Sequence, residues 1–229
     1  MKPKKNNTHR FNHAKKITPT RLGEVITDGL PSLVIWNFLF ILSCIPVITI
    51  GPAMAAMSFC TNALVIDDRP YKKTAKLYVR AFLISFAKTF PIGLFFLFFS
   101  AILGTGFFTY LSMSHENIIY LFMSSFSLLT LILFWGISAH LYPLVYDFEQ
   151  TDWETLTPVL TQKTLRVLIS EAGMFALTRM IPTAIGLIFS ILCLGLLLLF
   201  IPVTIPLLFT LGFSIVGVAM AFSHTKAEY

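Results

Sequence analysis

Four long stretches of this chain contain no Asp, Glu, Lys or Arg: residues 29–66, 89–115, 117–146 and 180–225. Each is strongly apolar. A hydrocarbon core about 30 Å thick is crossed by about 20 helical residues, and only helices and closed barrels satisfy their backbone there. Stretches of this length therefore predict an all-α, polytopic transmembrane helical bundle. Composition agrees. Of the 229 residues 56% are hydrophobic and only 12% charged, about half the share of a soluble domain. A soluble globular enzyme, a disordered region and a disulfide scaffold are excluded on that ground.

The second and third stretches fit one span each. The first and fourth are too long and must fold back. Pro and Gly mark where. Pro46 ends the first helix, and Gly51-Pro52 reads as a turn that opens the next one. Pro46, Thr49, Gly51 and Pro52 form the candidate turn motif, and Gly195, Pro202 and Pro206 do the same in the fourth stretch. The expected spans are roughly 31–47, 53–66, 89–111, 118–146, 175–196 and 203–222. That gives six spans, or five plus one re-entrant segment if the short 53–66 piece never crosses completely.

Orientation follows from the basic residues. Lys and Arg lie in residues 2–21, 69–88 and 163–179 and at Lys226, and none lies between Thr89 and Gln162. The positive-inside rule puts these segments, and both termini, in the cytoplasm. The turns near 48–52, 112–117 and 197–202 then face outward. The net charge of +6 reads as a rim against the anionic cytoplasmic leaflet of a cell membrane. No aromatic–basic interleaving or helix-turn-helix pattern accompanies it, so nucleic acid is not an expected partner. Lys72, Lys73, Lys76 and Arg80 are the candidate cytoplasmic contacts.

The chain reads as one integral membrane domain, 1–229, with a basic tail over about 1–19 and an interfacial helix over about 20–30. In that helix Leu22, Val25, Ile26 and Leu30 recur at helical spacing. Trp153, Leu156, Leu160 and Val167 suggest a second amphipathic helix. Either one suits a lipid surface or a docking partner. Ala53-Met54-Ala55 imitates a signal-peptide cleavage site, but its apolar core is too long and its basic region too extended for one.

No catalytic constellation is recognisable. His9, His13, His115, His140 and His224 lack the metalloprotease spacing, and neither a Gly-x-Ser-x-Gly nor a phosphate loop occurs. No catalytic residue, metal ligand or cofactor is expected. Cys44, Cys60 and Cys193 all lie in apolar segments and read as packing residues. Asp147, Glu149, Asp152 and Glu154 form an acidic cluster without EF-hand spacing, either a solvated turn or an acidic docking surface. Glu171 and Arg179 stand about 80° apart around a helix and cannot pair along it. The candidate intramembrane polar residues are Asn37, Asn62 and His140. Each reads either as an interhelical hydrogen-bonding group or as part of a polar path.

One passage carries a resemblance. Trp36-Asn37-Phe38-Leu39-Phe40, followed by Ile45-Pro46-Val47-Ile48-Thr49-Ile50-Gly51-Pro52-Ala53-Met54-Ala55-Ala56-Met57, resembles the YesL-like family of small bacterial integral membrane proteins. The likeness is sharp over residues 20–90 and compositional beyond. Within it, Asn37 follows the Trp, and the loop 67–73 lacks a Gly-Glu. The resemblance implies association with carbohydrate ABC importers, with their permease subunits as partners. It brings no catalytic residue with it.

Two functional readings follow. The first is a non-enzymatic accessory protein of a sugar importer. The alternative is a small stand-alone transporter or channel, with the broken helix at Pro46 and Gly51-Pro52 lining a site. An intramembrane enzyme is a third class without a motif to support it.

Overall fold

A computed structural model describes residues 19–67, 74–115, 117–148, 150–151, 157–178, 181, 183–188, 191–192 and 212–225. Six α-helices are named here: α1 (Pro19–Cys44), α2 (Ile50–Asp67), α3 (Thr74–Ser112), α4 (Ile118–Leu144), α5 (Leu165–Thr178) and α6 (Phe213–Thr225). Residues 183–188 are also helical. Among the described residues there is no strand, only an isolated bridge between Tyr146 and Leu160. Among the described residues, four helical segments are long and apolar enough to cross a membrane: Ile26–Cys44, Val47–Val65, Thr74–Ser112 and Ile118–Leu144. The expected fifth and sixth spans lie partly outside the described residues, as do the basic tail and the turn at Gly195, Pro202 and Pro206.

The interfacial helix expected at 20–30 falls within α1. It runs without a break into the first apolar helix as α1, with Pro31 inside. α1 ends where Pro46 has no N–H to continue it. Pro46 is extended, and Val47–Thr49 forms one 3-10 turn. Thr49 closes that turn, its amide and its hydroxyl both donating to Pro46 O at 2.7 Å. The same hydroxyl contacts Ser43 O.

Gly51 and Pro52 of the turn motif stand where the chain enters α2. Both lie within the first turn of α2, not in the loop. Pro52 is tolerated there because the first four helical N–H groups have no intrahelical partner. Gly51 is helical and shows no positive φ, so conformational freedom is not why glycine stands there.

α3 is much longer than the span expected from residue 89 onward. It begins at Thr74 and carries Lys76, Arg80 and Lys88 on its first half. Its buried positions explain this. Thr74, Leu77, Tyr78, Ala81, Ser85, Thr89 and Ile92 recur every three or four residues and form one face against the bundle.

α2 is the central helix. It packs on α3 above all, then on α6, α1 and α4. Of its apolar window 67% is buried, against 11% and 6% for the windows of α3 and α4. Small residues allow the close approaches. Gly29 of α1 faces the Leu64 side chain, and Gly217 of α6 faces Thr61 and Met57.

Contacts also set the heights of the turns. Gly51, just after the α1–α2 turn, rests on Thr89 and Gly93 of α3. The α3–α4 turn begins after Ser112, about 28 Å further along α3 at the helical rise per residue. The two turns are thus separated along α3 by nearly the thickness of a hydrocarbon core.

Over its described part, the second expected amphipathic helix is extended chain up to Thr164, and only Val167 of its described apolar positions lies on a helix, α5. Thr157–Thr164 is not helical; Asp147 N donates to Val159 O and Thr161 N to Val145 O, at 2.8 and 2.9 Å. Pro158 removes an N–H there and disfavours helix at the residue before it. Trp153 and Leu156 lie outside the described residues.

Candidate functional site

The candidate polar residues are spread over different helix pairs. Asn37 is fully buried on α1. Its Oδ1 accepts from the backbone N–H groups of Phe213 and Ser214 at 2.9 and 3.0 Å. It therefore ties α1 to α6, accepting from two backbone N–H groups of a different helix. Phe40, one turn on, packs its ring 5.2 Å from that of Phe213.

His140 is buried on α4. Its Nε2 lies 2.8 Å from Thr183 Oγ1, and its ring stacks on Phe175 of α5 with centroids 6.4 Å apart. Gly136, one turn earlier, faces Thr183 and Leu187. His140 thus ties α4 to the chain that follows α5.

Asn62 lies inside α2, and its Nδ2 donates to Ser58 O one turn back at 2.8 Å. Its buried Oδ1 has no hydrogen-bond partner among the described residues. Asn37, Asn62 and His140 do not share a hydrogen-bonded network in these contacts.

Further anchoring groups carry no assigned role in the sequence reading, although Trp36 opens the family-like motif. Trp36 Nε1 donates to Thr74 O at 3.0 Å, and Ser32 Oγ lies 3.3 Å from Thr74 Oγ1. Tyr78 OH lies 2.8 Å from Ser43 Oγ, and Tyr146 OH donates to Ala81 O at 3.1 Å. A buried Trp or Tyr must bring its polar tip to a partner, and that is the signal that could have found them.

Lys76 is exposed and Arg80 half-buried on α3, while Lys72 and Lys73 lie outside the described residues. Lys88 is turned to the protein. Its ammonium donates to Thr161 O at 2.7 Å and Lys163 O at 3.0 Å. Lys163 Nζ in turn meets both carboxylate oxygens of Glu171 at 2.7 Å. The sequence left Glu171 to another helix or the surface; its partner is this nearby lysine. Arg179 and most of the acidic cluster fall outside the described residues.

Cys44 and Cys60 are free thiols, and Cys193 is outside the described residues. Among the described residues no three His, Cys, Asp or Glu side chains gather as metal ligands would.

A family model described as a protein of unknown function, DUF624, matches residues 33–107. The match runs from α1 through most of α3 and overlaps the stretch that resembles the YesL-like family. It contains Trp36, Asn37, Pro46, Gly51, Tyr78 and Gly93. No curated protein and no solved structure matches the chain.

Proposed function

We propose that this chain is a non-enzymatic accessory protein of a bacterial cell membrane, working beside the permease subunits of a carbohydrate ABC importer. The sugar association comes from the YesL-like resemblance. The observation that carries the non-enzymatic reading is how the buried polar groups are engaged. Asn37 holds α6, His140 holds Thr183, and Trp36, Tyr78 and Tyr146 hold neighbouring backbone or side chains. These groups act in packing, where an interhelical hydrogen bond contributes about 1 kcal/mol.

A surface for a partner is available. Ile35, Phe38 and Leu42 are exposed at spacings of three and four, so they form one apolar stripe along α1, with exposed Ile45 just past its end. Both termini lie in the cytoplasm in this reading, with Lys76 and Arg80 near anionic headgroups. The crossings number six as counted from sequence, or fewer if residues 29–66 return to the face they entered.

The transporter reading has one observation in its favour. The unpartnered Asn62 Oδ1 is a buried acceptor that a polar solute or water could satisfy.

Co-purification from native membranes tests the proposal. A sugar importer permease retained with the chain supports the accessory role. Solute flux through proteoliposomes holding only the purified chain contradicts it.

A further inference from the structure

We infer that the α1–α2 turn meets the cytoplasmic leaflet, and that its apolar tip is a lipid-contacting surface at that boundary. The side of the membrane rests on the positive-inside orientation proposed above, and this placement replaces the outward turn expected near 48–52 and a full crossing by α1. The separation of the two turns rests on the helix contacts alone.

The argument starts from a polar level in the fold. Lys88, Thr161, Lys163 and Glu171 are joined by hydrogen bonds and an ion pair. Gln162 and Lys163 are exposed beside them. A group of charges and free amides like this belongs at or outside the headgroups. Gly51 contacts α3 at Thr89 and Gly93, within a turn and a half of Lys88. The start of α2 is therefore close to that level.

The middle of α2 agrees. The Phe59 ring lies 4.7 Å from that of Tyr146 and 5.3 Å from that of Phe148, centroid to centroid. Phe148 follows Asp147, whose carboxylate accepts from the exposed Gln150 N–H. The midpoint of α2 thus packs beside a polar connection, which belongs near the headgroups or where protein buries it.

Above the polar level the chain is different. From Thr89 to Ser112 α3 has no charged residue, and it rises about 36 Å over that length. α4 returns from Ile118 equally uncharged. Phe98, Phe108, Phe122 and Phe126 are all exposed on this pair. The length fits one bilayer core, about 30 Å, with modest tilt. A bilayer placed there leaves the α1–α2 turn at the face opposite the α3–α4 turn.

The tip has the chemistry for that position. Ile45, Val47 and Ile48 are 70%, 57% and 55% exposed around Pro46, with no charge between Asp28 and Asp67. Three neighbouring apolar side chains on a turn gain by entering the zone between headgroups and acyl chains.

Single cysteines test this in a background with Cys44, Cys60 and Cys193 changed to Ala. Val47→Cys and Ile48→Cys probe the tip, and Ser114→Cys probes the other turn. All three positions lie outside the core, and the unreacted thiols are counted after denaturation. A membrane-impermeant maleimide is applied to intact cells and to inside-out vesicles. The inference expects Ser114→Cys to react only in intact cells, and both tip cysteines only in inside-out vesicles. Tip and Ser114 probes reacting from the same side overturn it. Tip cysteines silent from both sides also overturn it, because the inference keeps the turn at headgroup level, within reach of the aqueous reagent from one side. Opposite sides with the assignment reversed would leave the inference standing and defeat the proposed orientation.

Discussion

Gly51 of α2 and Gly93 of α3 touch backbone to backbone. A Cβ built on Gly51 would stand 2.5 Å from Thr89 O and 2.7 Å from the Gly93 Cα, and a Cβ on Gly93 would overlap the Gly51 backbone. Small residues let membrane helices approach this closely, so that dispersion and weak backbone contacts hold them. The pair fixes the height of the α1–α2 turn on α3 and connects the most buried helix to the longest one.

Gly93→Ala should therefore destabilise the fold although it adds only one methyl. Inserting carbon into a filled contact costs about 1–3 kcal/mol, and here the obstructing atoms are backbone. Gly51→Leu should cost more and reduce the yield of folded protein. The check is the melting temperature in detergent, with Gly104→Ala as control, since nothing lies near that Cβ position. Equal melting of Gly93→Ala and Gly104→Ala would refute the contact.

Asn37→Leu should loosen α6 around Phe213 and Ser214. The change leaves the Phe213 and Ser214 N–H groups without their acceptor, at about 1–3 kcal/mol for buried donors. Amide exchange at those two residues should accelerate, while exchange inside α3 stays slow. Asn37→Asp, which keeps an acceptor, should restore part of the protection. Unchanged exchange in Asn37→Leu would show that these two hydrogen bonds contribute nothing.

Much of the helical layout was legible from charge-free length and from Pro46, because a backbone in lipid must be helical and Pro cannot donate. The first half of α3 was not. Lys76, Arg80 and Lys88 make residues 74–88 look like a loop, whereas Tyr78, Ala81 and Ser85 bury the opposite face of a continuous helix. The buried period was present in the sequence and was masked by the charges. Gly51 was noticed for the wrong reason. A glycine beside proline suggests a turn, and only the partner strand of chain, with Gly93, reveals a contact. Asn37 was identified as an interhelical group, but its acceptance from two amides about 176 residues away depends on tertiary placement alone.

His140→Ala should cost about 1–2 kcal/mol, the scale of a lost buried interhelical bond with its packing. Growth on an importer-dependent sugar should persist once protein levels are matched. A transporter or enzyme built on His140 would instead lose about 10²-fold or more in rate. Such a loss at equal protein level would contradict the packing role.

Reversing Lys72, Lys73 and Lys76 to Glu should reduce the anionic lipid retained through detergent extraction. Each basic group near such a surface contributes about 1 kcal/mol, and Lys76 is exposed on α3 for that contact. The difference should shrink as salt rises. Equal retention of phosphatidylglycerol by the variant and the parent would remove these lysines from lipid binding.

The central claim is that the chain acts through a membrane partner, and the α1 stripe is where contact is expected. A photo-crosslinking amino acid at Phe38, 60% exposed in the middle of that stripe, reports on it directly in native membranes. The account predicts an adduct with a carbohydrate importer permease, absent when the probe replaces buried Leu33. Irradiation that yields no permease adduct at Phe38, alongside sugar uptake unchanged when the chain is deleted, would contradict the account.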